Sequence, residues 1–232
     1  MGKPAQPGDF VSIDQMVTGS PGLIPFTSGH PSRQCYNMVT MWVDHFSRFL
    51  FAHCQEDATM QSTLESKISF ESYAKKYNIT VHHVHRDNGI FTIKAFKENV
   101  ESSNQTHSFC GVGAHWQNGV IECFIGVITT RVVLPRTMLL HAMDMWPDVI
   151  SSEFWSFAFM HAVHLHNCTP HHSETQSPFT KFTNEDPLVM PHDLSVHRFM
   201  FSMQHYNLDP SDLANGRTVV IKVYTSGITV VS

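Results

Sequence analysis

Charge is scarce in this 232-residue sequence: Asp, Glu, Lys and Arg make up 15% of it, against 42% hydrophobic residues. That balance excludes a disordered, self-repelling chain and leaves enough apolar side chain to bury a sizeable core. A basic excess is also missing. Fifteen Lys and Arg stand against 20 Asp and Glu, a formal net charge of −5, whereas duplex-binding proteins gather cations to displace counterions. Net charge therefore argues against affinity for DNA. No Cys-x-x-Cys occurs, and Cys35, Cys54, Cys110, Cys123 and Cys168 are odd in number and widely spaced, which excludes a disulfide framework and a cysteine-rich zinc knuckle. They are expected as buried thiols. No apolar run approaches the ~18–20 residues a bilayer span needs, and the first residues lack the apolar segment of a secretory signal. An intracellular protein without membrane contact is expected, in which the sequons at Asn78, Asn104 and Asn167 carry no glycan. There is no internal repeat and no low-complexity tract.

Periodicity divides the chain. Phe10 to Met16 alternates apolar and polar residues as a half-buried strand does, with Asp14 near its end. Residues 18–34 hold Gly19, Pro21, Gly22, Pro25, Gly29 and Pro31, a density that predicts a surface loop. Tyr36 to Val43 and Phe49 to His53 read as antiparallel strands joined through Asp44 to Arg48. Met60, Leu64, Ile68 and Tyr73 recur at near-helical spacing, with Asp57 or Thr59 as N-cap. A strand over 79–85, a turn from Arg86 to Gly89, a helix over 91–103 and a strand over 106–110 follow. A loop opened by Gly111 and Gly113 leads to a helix bearing Glu122 on its first turn, and a longer helix spans roughly 152–167. Strands first, then strands alternating with helices, imply an α/β layered domain with a mixed sheet.

Three acids stand at the edges of these elements: Asp14, Asp87 and Glu122. Carboxylates from separate elements are what a pair of divalent cations needs for phosphoryl transfer, and Mg²⁺ favours such hard oxygen ligands. Spacing alone does not separate them from solvated surface acids.

Several stretches resemble the integrase catalytic core of copia-type retrotransposons. They are Val11-Ser-Ile-Asp14-Gln-Met, Val43-Asp-His-Phe-Ser-Arg48, His85-Arg-Asp87-Asn-Gly89, and the run from Phe109 through Gln117-Asn118-Gly119 to Glu122. Thirty-four residues separate Asp87 from Glu122, close to that family's spacing. The likeness continues through Arg136 to Ala142, Trp155 to Asn167 and Thr175 to Phe179. It implies a ribonuclease-H-like fold, a five-stranded mixed sheet flanked by helices, with Asp14, Asp87 and Glu122 as catalytic and metal-binding residues. It also implies Mg²⁺ or Mn²⁺ as cofactor and nucleic-acid contacts at Asn88, Gln117, Asn118 and Arg131. The partners would be element-end and target DNA and further copies of the chain in a homo-oligomer, acting in the nucleus. Residues 1–9 then form a tail, 10–187 the core, and 188–232 a divergent C-terminal segment.

Departures from the family pattern point the other way. After Glu122 the family carries Arg or Lys where this chain has Cys123, only Arg131 is basic along the run to residue 131, and Pro135 interrupts the helix. The tail from Arg217 departs from the family's continuation, as a truncation or shifted frame would make it. A catalytically silent nucleic-acid-binding or multimerisation module is the alternative. Two histidine groups are candidates for metal. The spacing of His161, His164, His166, Cys168, His171 and His172 matches no structural zinc pattern, and His82, His83 and His85 alternate in direction along a strand. Asp44 is read as a turn residue.

Overall fold

The computed structural model describes residues 4–23, 35–86, 94–109, 140, 143–144, 151–171, 174–187, 220–224 and 227–231. Five strands form one sheet: β1 (Val11–Gly22), β2 (Tyr36–Asp44), β3 (Leu50–Gln55), β4 (His83–Arg86) and β5 (Thr106–Phe109), in the order β3-β2-β1-β4-β5. The β1, β2 and β3 ladder is antiparallel, whereas β4 runs parallel to both β1 and β5. This is the mixed sheet that the order of elements predicts. Helix α1 (Met60–Lys76) connects β3 to β4, and α2 (Lys94–Ser102) lies between β4 and β5. A 3-10 turn at Ser152–Phe154 leads into α3 (Trp155–Cys168), and α4 (Pro178–Thr183) follows. Farther along, β6 (Val220–Tyr224) and β7 (Gly227–Val231) form a separate antiparallel hairpin. Among the described residues no helix is long and apolar enough to cross a membrane.

Alternation along the strands sorts the core into two layers. Val11, Ile13, Trp42 and Val84 face α1 and α2, where Phe70, Ala74, Phe96 and Val100 meet them, together with Phe182 of α4. Val39, Met41, Val43, Leu50 and Ala52 face the other way, onto Phe159 and Val163 of α3. Burying each of the Val, Leu, Ile, Met and Phe side chains among them contributes roughly 1.5–3 kcal/mol. Thr59 caps α1, its hydroxyl accepting from the Ser62 amide, and Asp57 accepts from the Thr59 amide and from both hydroxyls.

Three expectations need correction. The strand that begins near Phe10 runs to Gly22, so residues 18–22 are strand rather than the start of the surface loop expected over 18–34, and Asp14 sits in the strand's first third rather than near its end. Beyond Val17 the ladder slips before resuming at Gly22 and Tyr36. Pro21, which has no N–H to donate, falls in that slip between the Val17 and Gly22 pairs. Of the apolar residues that mark α1, Met60, Leu64 and Tyr73 pack against the core but Ile68 is 54% exposed, and Thr63, Ser66 and Lys67 are buried beside Phe70 and Ala74. Small hydroxyls fill that interface because the Trp42 indole donates to Ser66 Oγ at 2.9 Å and Gln15 donates to Thr63 Oγ1 at 3.1 Å. The strand expected over 79–85 shortens to 83–86, since the amide of His82 donates instead to the carbonyl of Gly8 at 2.8 Å.

The three sequon asparagines have structural work. Asn78 and Asn104 take left-handed backbone conformations, φ 58° and 57°, just beyond α1 and α2, a role asparagine tolerates better than other non-glycine residues. Asn167 is buried, its Oδ1 accepting from the Leu50 amide at 2.9 Å and its Nδ2 donating to the Leu50 carbonyl at 2.7 Å. The amide thus completes the start of edge strand β3 as another strand would. Asn167→Ala should cost about 2–3 kcal/mol in urea unfolding, because it strands a buried donor and a buried acceptor together. A loss below ~0.5 kcal/mol would show that water replaces the amide.

Candidate active site

Strand β1 carries Asp14 on the face opposite α1 and α2, one residue past Ile13, whose partner in the parallel ladder is Arg86. Asp14 is half-buried, and its Oδ1 accepts from the Gln15 amide at 2.7 Å. Gln15 points to the other face, where its side-chain amide donates to Thr40 Oγ1 at 3.2 Å and Thr63 Oγ1 at 3.1 Å, fixing the strand on which Asp14 stands. Asp87, Glu122, Asn88, Gln117, Asn118 and Arg131 lie outside the described residues. Of the expected site the structure places Asp14 alone, and what it adds is the neighbourhood of that residue.

One pleat back on the same face lies a hydroxyl and imidazole network that the sequence reading did not find. Ser12, buried, is hydrogen-bonded to His45 Nε2 at 2.7 Å. Across the parallel ladder Ser12 pairs with His85 and His85 with Ser108. Ser108 Oγ lies 2.7 Å from His85 Nδ1 and 2.8 Å from His83 Nε2, and His83 Nδ1 lies 2.7 Å from Thr106 Oγ1. Phe10 touches all three imidazoles, edge-on to His45 at 4.5 Å and stacked on His83 and His85 at 4.8 and 5.7 Å. Burial, reinforced by Arg48, His85 and His83, pushes the His45 imidazole down to about 4, and burial first and then His85 and His107 lower His83. His45 is therefore neutral at physiological pH. The signal that could have revealed the network is the two-residue period: once β4 pairs with β1, His83 and His85 must share the face of Ser12 and Asp14.

Asp44 closes the β2–β3 turn. Buried completely, it accepts from the Gly8 amide at 2.8 Å and from the amide and hydroxyl of Ser47 at 2.7 and 2.6 Å. Desolvation raises its carboxyl, with those hydrogen bonds opposing. Its oxygens are committed to the turn, as expected of a turn residue. Among the described residues no group of three or more His, Cys, Asp and Glu side chains is placed to hold a metal ion. The carboxylate of Asp14 suits a hard cation, whereas three of the network's ring nitrogens are held by serine hydroxyls and a fourth by Thr106.

No protein-family model matches the chain, and no curated protein matches it. Solved structures do. The chain is similar to a chain of the simian T-cell lymphotropic virus intasome in complex with PP2A regulatory subunit B56 gamma, with a TM-score of 0.57 and 14% identity. That match covers 82% of this chain, which spans 60% of the other. The HTLV-2 integrase catalytic core domain in complex with magnesium is similar in its trimeric form, with a TM-score of 0.52 and 17% identity over 76% of this chain and 97% of that one. Its dimeric form gives 0.51 and 18% over the same shares. At such identities the likeness establishes the fold, which is the ribonuclease-H-like mixed sheet of integrase catalytic cores.

Proposed function

We propose that the chain is an integrase-type polynucleotidyl transferase whose catalytic acids are Asp14, Asp87 and Glu122. One observation carries this: β1 and β4 are parallel neighbours whose last described pair is Ile13 and Arg86, and the next residue of each segment is an aspartate, Asp14 and Asp87. In an integrase-core fold, two acids from adjacent parallel strands and a glutamate from a later segment are the donor set for divalent cations. When bound, Mg²⁺ or Mn²⁺ would supply an activated attacking oxygen and a stabilised leaving oxygen.

The chain's own contribution is placement. Asp14 offers a carboxylate fixed by its backbone and by the Gln15 anchor, and the ladder to β4 sets the spacing to the strand that Asp87 follows. Asn88, Gln117, Asn118 and Arg131 are assigned to nucleic-acid contact, with element-end and target DNA as substrates. Residues 10–187 form the core in this proposal, with 188–232 as a divergent extension, and the chain works as a homo-oligomer in the nucleus. The net charge of −5 and Cys123 in the place of a basic residue favour the second reading, a silent nucleic-acid-binding or multimerisation module.

A strand-transfer assay with Mn²⁺ decides between them. The wild-type chain should join oligonucleotide ends to a target, and Glu122→Gln should not. Equal background from both proteins, with DNA still bound, would leave the silent module standing.

A further inference from the structure

Arg86 ends β4, is fully buried, and lies on the α2 side of the sheet, the face opposite Asp14. Its guanidinium carbon sits 4.8 Å from the ring centre of Phe96 and 4.5 Å from that of Phe109. Among the described residues, Nε, Nη1 and Nη2 have no hydrogen-bond partner. Water satisfies all five donors of an exposed guanidinium, so burying them unpaired is costly, and two ring faces return only part of that cost. Burial lowers its pKa to about 10, with Glu101 opposing, so it stays a cation at neutral pH. Glu101 is thus near enough to act on Arg86, yet its carboxylate accepts none of the five donors. The guanidinium is left short of an acceptor that the described chain does not supply.

Two further basic side chains converge on the same ring. Lys97 Nζ lies 5.2 Å from the centre of Phe109, and the His107 imidazole stands edge-on to it at 5.5 Å. Burial first and then Arg86 lower His107, Glu101 opposes, and Lys97 adds to the lowering. Like charges gathered in this way disfavour one another until an anion joins them. We propose that Arg86, Lys97 and His107 form an anion site between α2 and β5 that takes a phosphate group, with the Phe109 ring as its cover. A guanidinium binds two phosphate oxygens side by side, while an ammonium and an imidazole reach others. A tetrahedral phosphate has oxygens enough for donors that approach from different sides, whereas Glu101 leaves the guanidinium unpaired. Arg86 is enclosed, but Phe109, Lys97 and His107 are half-buried. The cover is therefore one side-chain layer thick, and Phe109, the last residue of β5, turns aside to admit the anion. The phosphate comes either from a nucleic-acid backbone or from solution. Lying across the sheet from Asp14, the site needs none of the metal chemistry proposed above.

The test is calorimetric titration and thermal melting of the full chain in EDTA, with ionic strength matched by chloride. One arm uses inorganic phosphate and the other a short oligothymidylate. The wild-type chain should bind inorganic phosphate and melt at a higher temperature in its presence. Lys97→Met should weaken that binding about three- to tenfold, and Arg86→Met about tenfold or more. Stability without phosphate separates a ligand site from packing. Arg86→Met, similar in volume, removes an unpaired buried charge, so it should melt at least as high as wild type while losing the rise that phosphate brings. Should Arg86→Met fail to fold, Lys97→Met and His107→Gln, at half-buried positions, carry the same expectation of weakened binding. Phosphate that displaces the oligonucleotide would identify a nucleic-acid backbone as the source. An oligonucleotide that binds without competing, or does not bind, would leave free phosphate as the ligand. Absence of phosphate binding by the wild-type chain, or binding that the variants leave unchanged, would overturn the site. Loss of the metal-dependent function would show in the Mn²⁺ strand-transfer assay alone.

Discussion

Asp14→Asn should reduce Mn²⁺-dependent nicking of a DNA oligonucleotide by more than about a hundredfold while the metal-free protein melts at the same temperature or higher. The two halves have separate causes. Asparagine keeps a side-chain oxygen that can accept from the Gln15 amide as Asp14 Oδ1 does at 2.7 Å, so the local backbone is preserved. What disappears is a negative charge and a hard oxygen donor. Like charges gathered for a cation repel one another until it binds, and removing one relieves that repulsion. In the wild-type chain millimolar Mn²⁺ should raise the melting temperature by mass action, and in Asp14→Asn this rise should shrink or vanish. A variant that nicks as fast as wild type would remove Asp14 from the chemistry. A variant whose metal-free melting temperature collapses would make the residue a structural carboxylate.

How far this site could be read in the sequence depends on the kind of signal each residue carries. Alternation from Phe10 to Met16 is a period-2 pattern with a physical cause, and Tyr36 to Val43 reads as a strand from its apolar run; both strands begin where expected, although β1 runs on to Gly22. Asp14 comes with them, because its strand and face follow from the same alternation. On α1 hydrophobicity is a partial guide: Met60, Leu64 and Tyr73 pack against the core while Ile68 is exposed. Thr63, Ser66 and Lys67 go inside by finding partners in Gln15, Trp42 and Glu71, with the Lys67 ammonium 2.7 Å from the Glu71 carboxylate. Such partners come from distant parts of the chain and leave no periodic trace. Asn78 and Asn104 match a modification pattern while serving as left-handed residues after helices. Arg86 reads from the sequence as the start of a turn, since nothing local indicates that Phe96 and Phe109 close on its guanidinium. Asp87 and Glu122 lie outside the described residues, so the full acid set remains an inference from resemblance and strand order.

The buried imidazoles beside Phe10, with others on β3, β5 and α3, should make the protein sensitive to mild acid. Burial holds His45 and His161 down at about 4, reinforced by Arg48 at the first and His164 at the second, and burial also lowers His53, His83, His107 and His164. In the unfolded chain each titrates near 6.5. Because the folded state resists protonation, the unfolded state binds more protons below that value, and stability falls as pH drops from about 6.5 toward 4. A folded pKa near 4 is worth at most about 3 kcal/mol per imidazole. Since both rings keep some contact with solvent, about 1–2 kcal/mol each is the reasonable expectation. Asp44 works in the opposite sense: its raised carboxyl becomes easier to bury as it protonates, a partial offset confined to the acid end of the window. Urea unfolding at pH 7 and pH 5 should therefore differ by a few kcal/mol in favour of pH 7, and His45→Gln should flatten the slope. The glutamine amide can still bond Ser12 Oγ, as His45 Nε2 does at 2.7 Å, without a proton to gain. Equal stability at the two pH values would mean that these imidazoles titrate in the folded protein as they do in water, and that the network beside Asp14 opens readily to solvent.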